Sequence, residues 1–207
     1  MESWSGQWPG PEVFNMRLLA TAALFALTIT TFVAPASAMP PVPRKSPEFT
    51  ITDPSGKQIL LSSFKGKLVV LPLMFTTCPH CQHEAQILTK LSKELGPGVQ
   101  MLGAAFNDAN GPMVTQFVKE FGVGFPVGYA SRDSVISYLG LSVMDRWVVP
   151  QLAIIDQKGN IVVQSQPTGS PELQDEAYMR TLLQKLLKGG APATTSAAPK
   201  KTAAKTN

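Results

Sequence analysis

Hydrophobic and polar residues alternate along the chain in blocks that predict strands followed by helices. Residues 67–75 form a nearly continuous apolar run, which is typical of a strand buried on both faces. After it, Leu88, Leu91 and Leu95 recur with charged residues between them, and this spacing predicts a helix with one apolar stripe. The order strand, short polar segment, helix is therefore expected around residues 76–79.

The same alternation continues to residue 187 and predicts one α/β domain. The patterns predict strands and helices at the following positions: strands at 99–106, 126–130, 151–156 and 160–164, and helices at 112–121, 133–139 and 175–187. The last two strands are close enough to form a hairpin. A domain over residues 48–188 is large enough for its own core. We expect a central mixed sheet flanked by helices on both faces.

The residues before this domain divide into an extension, a signal-like segment and a proline-rich lead. From Met16, one arginine, the apolar run 18–33 and the small residues 36–38 form the three parts of a secretory signal peptide. Cleavage after Ala38 is expected, which places the protein in the periplasm or outside the cell. A membrane anchor is less favoured, because the run is shorter than the ~20 residues needed to span a bilayer. Residues 39–47 are expected to be extended and without regular structure.

The C-terminal residues 189–207 contain almost no large apolar side chain, so we expect a disordered basic tail. Its lysines account for most of the formal net charge of +4. The basic balance therefore gives no reason to expect nucleic acid as a partner. A weak contact with anionic membrane surfaces is the most that this charge predicts.

Both cysteines and both histidines of the chain lie within residues 78–83. Pro79 suits the first position of the predicted helix, where its missing N–H costs nothing, and this places Cys78 at the helix N-terminus. The unpaired N–H groups and the helix dipole favour a thiolate there, and a protonated His80 would add a second positive charge. We therefore expect Cys78 to be the nucleophile and Cys81, one turn later, to be the buried partner in a disulfide.

Two other interpretations of the Cys-x-x-Cys pattern are weaker. A structural zinc ion needs four ligands, and only His80 and His83 remain, in the same turn, so no metal is expected. His83 is instead expected on the surface. A purely structural disulfide would close a four-residue loop and remove little chain entropy. Redox chemistry without a cofactor is favoured. The remaining soft-metal ligands are spread over the elements and are expected to fill the core: Met74, Met101, Met113, Met144 and Met179.

Three segments of the chain match motifs of one known family. Residues 53–67 are similar to its opening β-hairpin, the Cys-Pro-His-Cys segment to its active site, and residues 149–162 to its cis-proline strand and hairpin. On these motifs the chain resembles thioredoxin-fold proteins of the TlpA/ResA-like redoxin group, from about Pro47 to Leu187. The resemblance implies a thioredoxin-like fold with an N-terminal β-hairpin extension. The Pro-His dipeptide itself resembles that of the DsbA oxidases.

The resemblance also implies roles for residues away from the cysteines. The bond before Pro150 is expected to be cis, against the base rate for X-Pro bonds, and Val149 and Pro150 are expected to offer backbone groups to a substrate chain. Gln151 stands where the family more often has threonine. Glu84 matches a glutamate that lies near the active site of ResA-like reductases and is thought to assist proton transfer. From sequence alone, a solvated acid that complements the helix dipole is favoured.

Pro72 marks a departure from the thioredoxins, which carry a buried acid six residues before the first cysteine. Proton transfer to and from Cys81 must therefore use another group or water. Proline also cannot donate a hydrogen bond to a neighbouring strand, so Pro72 predicts a bulge or a local break in its strand.

Three functions are compatible with these motifs. The favoured one is an exported, monomeric thiol–disulfide oxidoreductase that exchanges its disulfide with cysteine pairs of envelope or secreted proteins and with a redox partner in the envelope. A Sco-like copper-binding factor is suggested by residues 75–79, but those proteins use Cys-x-x-x-Cys and a distant histidine. A peroxiredoxin-like thiol peroxidase is suggested by residues 72–78, which are one residue short of that motif. The direction of electron flow stays open: the Pro-His dipeptide favours an oxidant, and the redoxin motifs with Glu84 favour a reductant.

Overall fold

The computed structural model describes residues 39–142, 144 and 146–189. The predicted signal peptide and the predicted tail beyond residue 189 lie outside these residues and stay predictions. Among the described helices, none has the length and apolar character needed to cross a membrane.

Nine strands of the described residues form one mixed sheet. In chain order they are β1 (Arg44–Lys45), β2 (Thr50–Thr52), β3 (Gln58–Leu60), β4 (Leu68–Met74), β5 (Val99–Met101), β6 (Gly103–Ala105), β7 (Val127–Tyr129), β8 (Gln151–Ile155) and β9 (Asn160–Gln164). The spatial order is β1-β9-β8-β4-β6-β7-β2-β3, with β5 also paired to β4. The pairs β4–β5, β4–β6 and β6–β7 are parallel, and the other strand pairs are antiparallel. The hairpin β2–β3 is the predicted N-terminal extension.

Four α-helices flank the sheet: α1 (Pro79–Leu95), α2 (Gly111–Phe121), α3 (Arg132–Leu139) and α4 (Glu176–Leu187). Short 3₁₀ turns lie at Leu61–Phe64, Gly96–Gly98 and Pro171–Gln174. The helix ends follow the local sequence. The side chain of Asn110 accepts a hydrogen bond from the Met113 N–H and caps the start of α2. Gly140 adopts a left-handed conformation and ends α3, as predicted.

The core consists of two apolar clusters, one on each face of the sheet, and β4 contributes to both. Val70 and Met74 belong to the cluster that includes residues of α1, α2 and α4. Leu71 and Leu73 belong to the cluster that includes residues of α3. Every residue of β4 is buried, because successive side chains point to opposite faces and both faces are covered. The continuous apolar run at 67–75 therefore predicted the central strand correctly.

Pro72 interrupts the neighbouring strand and leaves its own strand intact. β4 is continuous and carries no bulge, so that part of the prediction is wrong. The parallel neighbour instead divides into β5 and β6 at Leu102, whose N–H still donates to the Val70 carbonyl at 3.0 Å. The next bond of a parallel ladder would need an N–H on Pro72, which proline lacks. The missing N–H therefore interrupts the hydrogen-bond ladder, and the adjacent strand divides into β5 and β6 at this point.

The proline-rich lead is not without regular structure, contrary to the expectation for residues 39–47. Arg44 and Lys45 pair with β9 as an antiparallel edge strand. The Arg44 guanidinium donates a hydrogen bond to the Gln164 side chain, and the Gln164 amide nitrogen donates to the Leu139 carbonyl at 2.9 Å. These polar contacts explain why Arg44 and Lys45 form a strand. They were not predicted, because the pattern of apolar residues carries no information about polar contacts.

One methionine also departs from its expected place. Met74, Met101 and Met179 are buried, as expected, and Met113 is half-buried. The Met144 side chain is 88% exposed. It lies in the loop between α3 and β8, so it does not fill the core.

Candidate active site

Cys78 lies at the N-terminus of α1, directly after the carboxyl end of β4. It occupies the N-cap position with an extended backbone, and Pro79 takes the first helical turn. The Cys78 N–H donates to the Phe75 carbonyl at 3.2 Å, and its own carbonyl accepts from the Gln82 N–H at 3.0 Å. The side chain is half-buried. This placement at the helix start is the one that the Cys-Pro pair predicted, and the free N–H groups of the first turn favour negative charge on the sulfur.

The loop before Cys78 is held in place by a neighbouring strand end. The Thr76 N–H donates to the Asn107 side-chain oxygen at 3.2 Å, and the Asn107 amide nitrogen donates to the Thr76 hydroxyl at 3.1 Å. The Gln82 amide nitrogen donates to the Thr76 carbonyl at 3.0 Å. The sequence analysis missed Asn107. A signal existed, because parallel strands end at the same edge of a sheet and Asn107 lies two residues after the end of β6.

Cys81 is completely buried, with an exposed fraction of 0%. Burial is the main cause that raises the pKa of its thiol, and a hydrogen bond to Cys78 and the nearby Glu84 carboxyl raise it further. A hydrogen bond to the Phe75 backbone opposes the shift only in part. Both cysteines are free thiols in the structure. The disulfide between Cys78 and Cys81 stays a prediction.

Glu84 lies inside the protein, so the prediction of a solvated acid is wrong. Its exposed fraction is 2%, and burial raises the pKa of its carboxyl from 4.5 to about 8. Among the described residues, no group donates to its Oε2 atom. Glu84 follows Cys81 by three positions, so both side chains lie on the buried face of α1. The helix-dipole argument failed here because it considered only the position of Glu84 along the helix and not which face it occupies.

The loop before β8 lies beside the Cys78 sulfur. The bond between Val149 and Pro150 is cis, as the family resemblance implied. The Cys78 sulfur lies 3.9 Å from the Val149 carbonyl oxygen, while Pro150 is buried. A backbone carbonyl beside the reactive sulfur is the arrangement expected for pairing with a substrate chain. The binding roles of Val149 and Pro150 stay predictions.

Gln151, which follows the cis-proline, fixes this loop through its side chain. Its buried amide nitrogen donates to the Val148 carbonyl at 2.8 Å and faces the Gln166 and Pro167 carbonyls at 3.2 Å each. The Val148 N–H in turn donates to the Pro167 carbonyl at 2.9 Å. These bonds join the cis-proline loop to the segment after β9. The Gln151 Oε1 atom is buried without a partner among the described residues.

The two histidines lie on the exposed face of α1. His80 and His83 are both exposed, which agrees with the surface position expected for His83. Within the described ranges, no three histidine, cysteine, aspartate or glutamate side chains are grouped so that they could hold a metal ion. The role of His80 beside Cys78 stays a prediction.

An aromatic cluster next to the active site was also missed. The rings of Phe75 and Phe106 lie 4.8 Å apart, and the Trp147 ring lies 5.7 Å from Phe106. The Arg132 guanidinium stacks over Trp147 at 4.9 Å from its centroid. Phe75 precedes the cysteine motif and Trp147 precedes the cis-proline, so the cluster packs the two active-site loops together.

The arrangement can perform thiol–disulfide exchange. One sulfur is accessible at a helix N-terminus, a second sulfur lies hydrogen-bonded beneath it, and a buried carboxyl lies next to the second. An accessible thiolate can attack a disulfide, and a neighbouring thiol can then displace the product once it loses its proton.

Comparisons with known proteins agree with this chemistry. The family model described as Redoxin matches residues 41–183. The thiol-disulfide oxidoreductase ResA of Bacillus thuringiensis (strain Al Hakam) is 30% identical over 142 residues, which is 67% of this chain and 77% of that protein. The protein of the same name from Geobacillus thermodenitrificans is 26% identical, over 70% of this chain and 79% of its own length.

A solved structure shows the fold. The thiol:disulfide interchange protein, a thioredoxin family protein from Chlorobium tepidum, superposes with a TM-score of 0.58 at 23% identity, over 72% of this chain and 99% of that one. The mixed sheet flanked by helices is thus thioredoxin-like, as predicted. From the match over residues 41–183 and the similarity to ResA, the chain belongs to the Redoxin family and is a thiol–disulfide oxidoreductase.

Proposed function

We propose that this protein is exported and that its Cys78–Cys81 pair exchanges a disulfide with cysteine pairs of envelope or secreted proteins. One observation carries the proposal: the accessible Cys78 sulfur lies between a helix N-terminus and the Val149 carbonyl, with Cys81 buried beneath it. A substrate chain can therefore reach only the first sulfur. The second is reserved for the intramolecular step.

The exchange proceeds in two displacements that conserve atoms and electrons. The Cys78 thiolate attacks one sulfur of a substrate disulfide, a mixed disulfide forms, and the other substrate sulfur leaves as a thiolate. Cys81 then loses its proton and attacks the Cys78 sulfur, which breaks the mixed disulfide and releases the second substrate thiolate. The protein gains a disulfide, the substrate gains two thiols after protonation, and two electrons pass to the substrate. The reverse sequence oxidises a substrate dithiol.

The buried Glu84 carboxyl lies close to Cys81 and can accept its proton. The Cys81 thiol resists ionisation because it is buried, so the second displacement needs an adjacent proton acceptor. The Glu84 carboxyl, with a pKa raised to about 8, exchanges its proton near neutral pH. This supports the role that the family resemblance implies, and it provides the acid that Pro72 cannot supply.

Export is supported by the sequence of the segment before the domain. Residues 16–38 have the charged, apolar and small-residue parts of a secretory signal, and a redox-active disulfide persists outside the cytosol. We propose that the mature chain begins at Met39 and acts as a monomer. Mass spectrometry of the periplasmic or extracellular fraction tests this start. Recovery of the protein with residues 18–33 intact in the membrane fraction would contradict it.

The reduction potential tests the exchange itself and assigns its direction. The protein should be equilibrated in glutathione buffers, trapped with a thiol-reactive reagent and analysed for the fraction with a Cys78–Cys81 disulfide. A potential near that of thioredoxin, about −270 mV, assigns a reductant, and one near that of DsbA, about −120 mV, assigns an oxidant. If no disulfide forms at any ratio of oxidised to reduced glutathione, the proposed function is wrong.

A further inference from the structure

A groove beside the nucleophile lies between α1 and α2. It encloses about 370 Å³ and begins at Thr76 and Thr77, directly before Cys78. Thr77 is exposed. The groove therefore continues the surface on which a substrate must lie when its sulfur reaches Cys78. We refer to it as the α1–α2 groove.

The floor of the α1–α2 groove is apolar and partly open. Phe117 and Phe121 lie on successive turns of α2, with ring centroids 5.4 Å apart. Phe117 is buried, whereas Phe121 and Met113 are half-buried and leave part of their surface open. Thioether and aromatic surfaces adapt to many apolar side chains. The floor can thus accept an apolar residue without selecting one shape.

The rim of the groove is polar, and the one charged residue among the groove residues is the acidic Glu120. Gln82 and Gln116 line it with amide groups, and the Gln82 side chain is anchored to the Thr76 carbonyl. Glu120 contributes a carboxylate, and the groove residues include no lysine or arginine. Glu120 is exposed, and among the described residues no cation lies within ion-pair distance of it. A ligand with a positive charge would complement this rim.

We propose that the α1–α2 groove is a substrate subsite that binds polypeptide residues next to the reactive cysteine, with an apolar side chain on the floor and a lysine or arginine against Glu120. The inference rests on the proposed function, because it concerns the substrates of the same sulfur. An extended chain advances about 3.3 Å per residue, so residues a few positions from the substrate cysteine reach the groove. The preferred substrates are therefore cysteine segments of basic and apolar character.

The groove contributes to substrate binding and takes no part in the transfer of electrons. The Cys78 sulfur still forms the mixed disulfide while the substrate disulfide breaks and its other sulfur leaves with the electron pair. Contacts with the groove hold the substrate chain during this step. We therefore expect them to change KM more than kcat.

Two disulfide peptides test the proposal, identical except for lysine or glutamate two residues from the reactive cysteine. Hydroxyethyl disulfide serves as a small neutral substrate that cannot fill the groove. The wild-type protein should reduce the lysine peptide up to about fivefold more efficiently at low salt, the value expected for an exposed ion pair. The preference should fall in high salt, since screening weakens exposed pairs.

Variants at Glu120 decide whether this residue causes the preference. Glu120→Gln should abolish it and Glu120→Lys should reverse it. Glu172→Gln, which removes a carboxylate outside the groove, should leave it unchanged. If the wild-type protein reduces hydroxyethyl disulfide but treats both peptides alike, or if Glu120→Gln keeps the preference, the groove proposal is wrong and the proposed function stands. If the wild-type protein neither reduces any of the three disulfides nor oxidises the corresponding dithiols, the proposed function itself is wrong.

Discussion

The first two turns of α1 have one exposed face and one buried face, and the two faces carry different parts of the chemistry. His80 and His83 face solvent, whereas Cys81 and Glu84 are buried. Cys78 lies at the start of the helix, between the two environments. The contrast shows how a single helical turn can keep an attacking sulfur accessible while it keeps the resolving sulfur and its proton away from water.

Replacing each cysteine by serine should have the largest effect, because the two variants test the accessible and the buried sulfur separately. Cys78→Ser should abolish insulin reduction, at least about 10³-fold, because no other cysteine thiol of the described residues is accessible. Cys81→Ser should instead accumulate mixed disulfides, since the first displacement still occurs and the second cannot. Mass spectrometry of the adducts measures both results. Adducts on the Cys78→Ser variant and none on Cys81→Ser would reverse the assigned roles.

Removing the charge of Glu84 tests the buried face through stability. A folded-state pKa of about 8, against 4.5 for the free group, means that the folded protein retains a proton that the unfolded chain loses. Stability should therefore fall as the pH rises between these values, with a contribution of about 1.4 kcal/mol per pH unit from this group.

Urea denaturation between pH 5 and pH 8 measures this slope. Glu84→Gln keeps the shape of the side chain and cannot ionise, so it should remove the contribution and be more stable than the wild-type protein at pH 8. Glu120→Gln, which removes an exposed carboxylate without an ion-pair partner among the described residues, serves as the control and should keep the wild-type slope. Equal slopes for the wild-type protein and Glu84→Gln would show that a raised pKa of Glu84 is not the cause of the pH dependence.

Gln151 joins the cis-proline loop to the segment after β9. Gln151→Ala removes the donor that joins Val148 to the segment after β9, so buried carbonyls lose a partner and the free energy of unfolding should fall by about 1–3 kcal/mol. The KM for protein disulfides should rise more than kcat falls, because the Val149 carbonyl is no longer fixed beside Cys78. Gln86→Ala, on the surface of α1, is the matched control. A loss of stability with unchanged KM would leave Gln151 a purely structural role.

The smallest effect is expected on the exposed face. If a protonated His80 stabilises the Cys78 thiolate, His80→Ala should disfavour the reduced form and shift the reduction potential by up to about 30 mV toward more negative values. His83→Ala, an equally exposed histidine three residues later, should shift it less. Equilibration with glutathione measures both variants. An equal shift in the two would leave the helix N-terminus as the only activator of the sulfur.

The sequence predicted those parts of the fold and site that depend on local pattern. The apolar run of β4 identified the central strand, and the Cys-Pro pair identified the start of α1, because both are properties of consecutive residues. The cis bond before Pro150 came from the family resemblance and not from base rates. Local signals were sufficient wherever one element determines the feature.

Features that depend on contacts between distant elements were missed. Glu84 was placed in solvent because only its position along α1 was considered, whereas its side chain lies on the buried face of that helix. Asn107 and Thr76 are far apart in sequence and meet only because β4 and β6 end side by side. Arg44 was assigned to an irregular lead because its partner Gln164 lies on β9. In the last two cases the determining interaction is a polar contact between distant elements, and hydrophobic periodicity carries no information about it.

The short edge strands of the sheet have a consequence for association with other chains. The outermost strands of the described sheet are β1 and β3, and Pro43 and Pro47 flank the two residues of β1. Proline offers no N–H, and Lys45 is exposed, so this edge presents few groups with which another strand could pair. Partly unfolded cysteine-containing chains, the proposed substrates, carry many extended segments. The protected edge of β1 should keep such segments at the active site and prevent their addition to the sheet as extra strands, which is a route to aggregation.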